Sequence, residues 1–232
     1  MARFLSLLML VISSLCLAMT LKVGVYHNPP LIDFVNQKAS GLYAEIVEQV
    51  ALQNNWEIQY VFGEFPSLLD QLKSGQIDLL TAIAYTQSRA EIFDFNNQAV
   101  ILNWGVVCAK RTLNSLLELQ DKIIAVVASD VYAESLKKQI EDFKLTVRYF
   151  YVEDYEEALQ AVQKDMADLC VVSRIFVQRN VPRYSLQMSG IVFSPVELRF
   201  AFTKSTEKSQ MLIEAFDRYL SEMSQISSVT IS

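Results

Sequence analysis

The residue types best suited to proton transfer or metal binding are scarce in this chain. It holds one histidine, His27, and three cysteines, Cys16, Cys108 and Cys170. A Ser-His-Asp triad, a His-rich zinc site or a His-Cys metal finger would each have to be built from that one imidazole. No nucleophile elbow, phosphate-binding loop or metal-ligand spacing is present, and the six glycines are scattered. The sequence therefore predicts no metal and no cofactor. His27, near a strand end beside Pro29-Pro30, is the one candidate acid or base for an enzyme such as a dehydratase or a cell-wall lyase. A lone loop histidine is more often a surface or packing residue, and the chain is read as a non-enzyme. Asp78 and Asp168 each begin an apolar run after a helix, which is turn chemistry rather than ligand chemistry.

Charge excludes a further class. Twenty Lys and Arg stand against 26 Asp and Glu, a net charge of −6, so no basic surface is available for phosphate backbones and nucleic acid is not an expected partner. With 232 residues, 52% of them hydrophobic, the chain can bury one large core or two small ones. Arg3, the apolar run from Phe4 to Leu17 and the small-residue end at Ala18 read as a secretory signal, 1–18, cut after Ala18. A membrane anchor needs about 20 apolar residues, and this run is shorter and broken by Ser13-Ser14. Leu15 disfavours a lipid anchor on Cys16. No second apolar stretch is long enough to cross a bilayer, so a soluble mature protein, exported to the periplasm, is expected. Cys108 and Cys170, both in apolar strand-like runs, are left as either a disulfide or two buried thiols.

The elements that must position any site alternate between strand and helix in two rounds. Leu21 to Tyr26 reads as a strand stopped by Asn28-Pro29-Pro30. A helix follows Gly41, with Leu42, Ile46, Val47, Val50 and Ala51 on its inner face and Asn54-Asn55 at its end. Trp56 to Phe62 is a strand, Pro66 opens a helix that Gly75 closes, and Ile77 to Tyr85 is a buried strand. The second round has strands at Gly105 to Ala109, Lys122 to Ala128, Thr146 to Val152 and Asp168 to Val172. Between them the pattern predicts helices at Asn114 to Leu119, Val131 to Phe143 and Tyr155 to Lys164, the last opened by a capping box of Asp154 with Glu157. Leu72 to Leu79 and Val162 to Leu169 echo each other, as two similar α/β lobes would. Open sheets bind ligands beyond the carboxyl ends of their strands, and small-molecule sites favour domain interfaces, so the site is expected between the lobes.

The segments Leu21-Lys22-Val23-Gly24-Val25-Tyr26-His27-Asn28-Pro29-Pro30, Leu72 to Leu80, and Tyr85-Thr86-Gln87-Ser88-Arg89-Ala90 through Phe93-Asp94-Phe95 together resemble the bacterial extracytoplasmic solute-binding proteins of family 3. The tail from Ile191 to Phe202, with Asp217-Arg218-Tyr219-Leu220, is similar to a narrower branch that serves as the periplasmic sensor domain of histidine kinases. The resemblance implies a two-lobed type II fold that closes over a small solute. It assigns 19–103 plus 190–232 to lobe 1 and 104–189 to lobe 2, with crossings near Asn103-Trp104 and around Gly190.

It also implies a site. Arg89, following Thr86, is the family's carboxylate grip, which suits a guanidinium's fork of donors; the alternative is pairing with Glu91 or Asp94. Ala84 and Tyr85 then line the same wall, and Tyr26, Asn28 and Phe65 add aromatic and amide contacts, with core packing as the alternative for Tyr26 and Phe65. In the second lobe the strand-to-helix turn Ala128-Ser129-Asp130 offers free backbone donors and the Ser129 hydroxyl to an anion. Two departures stand out. Ala128 replaces a common glycine and Asp130 adds a negative charge, either as a ligand contact or as a helix N-cap. Ser173 stands where amino-acid binders carry an acid for the α-ammonium, so the expected solute is a small carboxylate or other anionic or polar molecule. The expected protein is a monomeric periplasmic receptor serving an ABC importer. The alternative is a sensor module with a signalling partner, although the chain stops at Ser232 with no anchor or output domain.

Overall fold

Leu21, Val23 and Val25 point into a core from β1 (Thr20–Val25), the alternation that period-two sequence patterning requires. The computed structural model describes residues 18–230, so the expected signal lies outside the described residues except for Ala18. A small hairpin follows, β2 (Asp33–Val35) with β3 (Lys38–Ser40). α1 (Leu42–Asn54) starts after Gly41, whose φ is 98° and where a Cβ would lie 2.7 Å from the Pro30 carbonyl. Asn55, in the left-handed conformation, closes the helix. β4 (Glu57–Phe62), α2 (Phe65–Lys73), β5 (Leu79–Ala84), α3 (Gln87–Ile92) and β6 (Phe93–Phe95) complete this half.

β7 (Ile101–Ala109) enters the second half, where a short 3-10 turn at Leu116–Leu119 stands in place of the helix expected from Asn114. Then come β8 (Ile123–Val127), α4 (Val131–Asp142), β9 (Arg148–Val152), α5 (Tyr155–Gln163), β10 (Leu169–Ser173) and α6 (Arg174–Asn180). The chain returns through β11 (Gln187–Thr203) and ends on α7 (Glu207–Thr230).

The main sheet is curled and mixed, in the order β4-β1-β5-β11-β7-β10-β8-β9, with β6 also on β11. Its two flanks are parallel, while β7 and β11 run antiparallel to their neighbours. Each flank has its own core, which makes the molecule two-lobed. β11 gives Ile191 and Phe193 to the core of β7, β8 and β10, and Leu198, Phe200 and Phe202 to that of β1, β5, α1 and α7. A third cluster, around Leu68, Leu72 and Ile77, seats α2 on the first lobe.

The echo between Asp78 and Asp168 has a structural basis. Asp78 Oδ2 accepts from the Lys22 amide at 2.8 Å and Asp168 Oδ2 from the Ile123 amide at 2.8 Å, so each carboxylate ties down the start of a neighbouring parallel strand. Cys108 and Cys170 are register partners on β7 and β10, fully buried, and both are free thiols. Among the described residues no helix is long and apolar enough to cross a membrane.

Candidate functional site

The carboxyl ends of β1, β4 and β5 in the first lobe face those of β8, β9 and β10 in the second. Between them lies a cavity of about 220 Å³. Of the nine residues expected from the sequence, Tyr26, Asn28, Phe65, Ala84, Arg89, Asp130 and Ser173 line it; Tyr85 and Ser129 are not among the lining residues.

The first-lobe wall is a connected set. The Tyr26 hydroxyl donates to the Ala82 carbonyl at 2.9 Å and accepts from Asn28 Nδ2 at 3.3 Å. Burial pushes the Tyr26 pKa well above the usual phenol value, so it is a neutral donor. Ala82 carries a φ of 51° within β5, opposite a register shift on β11; this is an uncommon conformation for a residue with a Cβ. The Tyr26 and Phe65 rings lie 5.0 Å apart. Asn28 is 4% exposed, and its Oδ1 accepts no hydrogen bond.

Arg89 sits on α3, where the Thr86 hydroxyl caps the helix by accepting from the Arg89 amide at 3.2 Å. Its Nη1 donates to the Ala84 carbonyl at 3.0 Å, and its Nη2 crosses to the second lobe and donates to the Ser129 carbonyl at 2.8 Å. The guanidinium also lies 5.5 Å from the centre of the Phe65 ring. Neither Glu91 nor Asp94 holds it; Asp94 pairs with Lys204 at 2.9 Å.

On the second-lobe wall Asp130, 7% exposed, is the N-cap of α4: its Oδ2 accepts from the Ala133 amide at 3.2 Å and its Oδ1 from the Tyr155 hydroxyl at 2.7 Å. Burial raises its pKa, and Tyr155, the backbone amides and Arg89 pull the other way. Ser173 caps α6, accepting from the Phe176 amide at 3.3 Å and from Asn103 Nδ2 at 2.8 Å.

Ser129 is exposed, with a φ of 59°, so the left-handed turn that favours glycine falls on Ser129 rather than on Ala128; its carbonyl, not its hydroxyl, meets Arg89. Tyr85 packs its ring 5.2 Å from Phe95 and under the Arg199 guanidinium at 4.6 Å. His27, read from sequence as a surface or packing residue, is on the cavity wall. Its Nδ1 lies 2.9 Å from Asp33 Oδ1 and its Nε2 3.1 Å from Glu156 Oε2 in the opposite lobe.

The expectation was of an anionic or polar solute, and these positions weigh against an anionic one. The α4 N-terminus, where an anion would be received, is filled by the Asp130 side chain, and Arg89 already engages two carbonyls. Glu64, Glu153 and Asp154 join Asp130 on the lining. The sequence reading missed Asp154 and Tyr155 because it did not follow β9 to its tip, although the capping pattern at Asp154 marks that place. The box itself is shifted: Glu157 donates its amide to Asp154 but returns its carboxylate to the Glu153 amide. Among the described residues, no group of three or more His, Cys, Asp or Glu is arranged to hold a metal ion.

Two lobes joined by a pair of long strands, with a cavity at the facing strand tips, define the type II periplasmic-binding fold. The chain belongs to the bacterial extracellular solute-binding proteins, family 3, whose model matches residues 21–230. It is 27% identical over 215 residues to a probable histidine-binding protein of Campylobacter jejuni, covering 88% of this chain and 79% of the relative. It is 25% identical over 180 residues to the probable amino-acid-binding protein YxeM of Bacillus subtilis, covering 75% and 67%. Its fold is shared with an ancestral arginine-binding protein bound to arginine, at a TM-score of 0.76 and 23% identity over 89% of this chain and 92% of that one. A histidine kinase sensor domain shares it equally, at 0.77 and 17% identity over 91% and 92%.

Proposed function

We propose that this chain is an exported periplasmic receptor, acting as a monomer, that closes over a small nitrogen-bearing solute and presents it to an ABC importer without transforming it. The observation that carries this reading is the Arg89 Nη2 contact with the Ser129 carbonyl at 2.8 Å, which links the two cavity walls and exists only while they are together. A solute that touches both walls favours the closed arrangement by its differential affinity for it. In this reading the contacts come from Arg89, Tyr26, Asn28, Phe65 and Ala84 on one side and from Asp130 and Ser173 on the other. Lobe 1 is 19–103 with 190–232 and lobe 2 is 104–189, hinged within β7 and β11. The nitrogen-bearing solute is supported by the relatives, described as binding histidine, arginine or amino acids. Small-angle scattering of residues 19–232 tests the proposal: the radius of gyration falls when a bound solute closes the lobes, and a radius unmoved by every solute refutes it.

A second reading, a sensor module reporting closure to a signalling partner, is supported by the tail from Ile191 to Phe202 and by the fold shared with the kinase sensor domain. Cross-linking in membranes separates the two, by capture of a permease or of a kinase.

A further inference from the structure

The lining of the cavity carries a charge pattern that selects among nitrogen-bearing solutes, an inference that rests on the receptor reading above. Among the described residues Arg89 is the only Lys or Arg on the lining, and four carboxylates stand against it: Asp130, which is buried, Asp154, half-buried, and Glu64 and Glu153, both exposed. Two of its five N–H groups are engaged by the Ala84 and Ser129 carbonyls, and its charge lies close enough to Asp130 to favour the ionised carboxylate. A ligand carboxylate would enter a space rich in its own sign, and the helix start that might receive it is occupied by the Asp130 side chain.

Two of the described lining groups are buried without a partner, the Tyr132 hydroxyl, which can donate or accept, and the side-chain oxygen of Asn28. Asn28 Oδ1 is a buried acceptor with no donor, on the same wall as Tyr26, whose hydroxyl is already donated to Ala82. Burying an acceptor unpaired is costly, and a ligand N–H removes that cost. The Asp130 carboxylate is contacted by the Tyr155 hydroxyl and by the Ala133 and Tyr132 amides, and its four lone-pair sites still leave room for a further donor. The aromatic rings of Tyr26, Phe65, Tyr132 and Tyr155 complete the lining, and the face of such a ring attracts a cation.

We propose that the solute is a small organic cation, an amine with an ammonium or amidinium group and no carboxylate, held between Asn28 Oδ1 and Asp130. It is thus an amine rather than an amino acid.

Matched pairs that differ only in the carboxylate provide the test. Calorimetry of residues 19–232 at neutral pH is run with histidine against histamine and with arginine against agmatine, with putrescine as a carboxylate-free diamine. At least one amine is expected to bind at least about tenfold more tightly than its amino acid, one charge-assisted hydrogen bond being worth about that much. Asp130→Asn, which keeps a residue able to cap α4, is expected to weaken the amine by about 10–100-fold. Asn28→Ala is expected to weaken it too, by more than the small loss of thermal stability that follows from removing the Asn28–Tyr26 hydrogen bond explains. Tighter binding of an amino acid than of its amine overturns the inference, and so does a panel in which no amine binds. The receptor reading fails separately, if no solute of any kind, including one that co-purifies, draws the lobes together.

Discussion

Arg89 and Asp130 are the two charges on which the cavity walls depend, and each is held by groups that a substitution would strand. Removing the guanidinium leaves the Ala84 and Ser129 carbonyls without their donors and Asp130 without a nearby cation. Arg89→Ala is therefore expected to destabilise the protein by about 1.5–3 kcal/mol, the range for hydrogen bonds to a charged group, as read from urea unfolding midpoints. Arg89→Lys keeps the charge but not the fork and should recover only part of this. Gly41 is a second such residue, because the loop that carries Asn28 is closed against the start of α1: the Leu42 and Tyr43 amides donate to the Pro30 and Leu31 carbonyls at 3.2 and 2.9 Å. A Cβ at Gly41 would meet backbone, which cannot rotate away, and the φ of 98° is itself unfavourable for alanine. Gly41→Ala should cost about 1–3 kcal/mol and lower solute affinity as the loop shifts. Both residues could be singled out from sequence, Gly41 as a helix-start signal and Arg89 through a family motif. The direction of the Arg89 fork could not, because its partners are carbonyls supplied by main-chain geometry.

At the level of elements, the strand tips were legible and the long strands were not. The ends of β1, β5 and β8 are readable, and Tyr26, Ala84 and Asp130 at or near them reach the cavity, although Tyr85 and Ser129 do not. β7 and β11, by contrast, each pass from one core to the other. The register of β11 on β7 shifts between Met188 and Val192 and again between Phe193 and Val196, so the inward-outward alternation changes phase and a 17-residue strand does not read as one. Asn103-Trp104 and Gly190, near which the resemblance implies the crossings, lie inside these strands. β7 also sets the height of α4, since a Cβ at Gly105 would fall 2.8 Å from Tyr132 Cβ and 2.8 Å from Phe193 Cε2. The phenylalanine ring can move, but Tyr132 Cβ is fixed to the helix backbone. Gly105→Ala is therefore expected to lift the first turn of α4 away from β7, costing about 1–3 kcal/mol as an overpacked core does. Because Asp130 caps that turn, solute affinity should fall with it. An unchanged melting temperature would show that α4 accommodates the methyl group without moving.

For the whole molecule, the contact between lobes that responds to pH is made by its one histidine. His27 extends from the end of β1 between Asp33 of its own lobe and Glu156 on α5 of the other, and the Tyr184 hydroxyl donates to the second Glu156 oxygen at 2.8 Å. Asp154, at the start of α5, adds its charge, and the edge of Phe176 covers the ring at 6.2 Å. Burial lowers the His27 pKa, but the combined effect of Asp33, Asp154 and Glu156 outweighs it, so the value rises above 6.5. A group whose pKa is raised on folding contributes stability that is fully present below its unfolded value and is lost as the pH passes through the raised one. The latch should thus be complete below pH 6.5 and weaken as the pH rises through the raised value. Its side chain is 27% exposed and that of Glu156 43%, so solvent screening limits each pair to about 0–1 kcal/mol. Proton NMR can follow the titration without assignment, because a single imidazole gives the only histidine signal. The melting temperature should decline as the pH rises above 6.5, and His27→Gln or Glu156→Gln should flatten that decline. Solute affinity should follow the same course, because only the closed state joins His27 to Glu156. An imidazole that titrates at or below its ordinary value, or a His27→Gln protein with the wild-type slope, would mean that the lobes are held together without this proton.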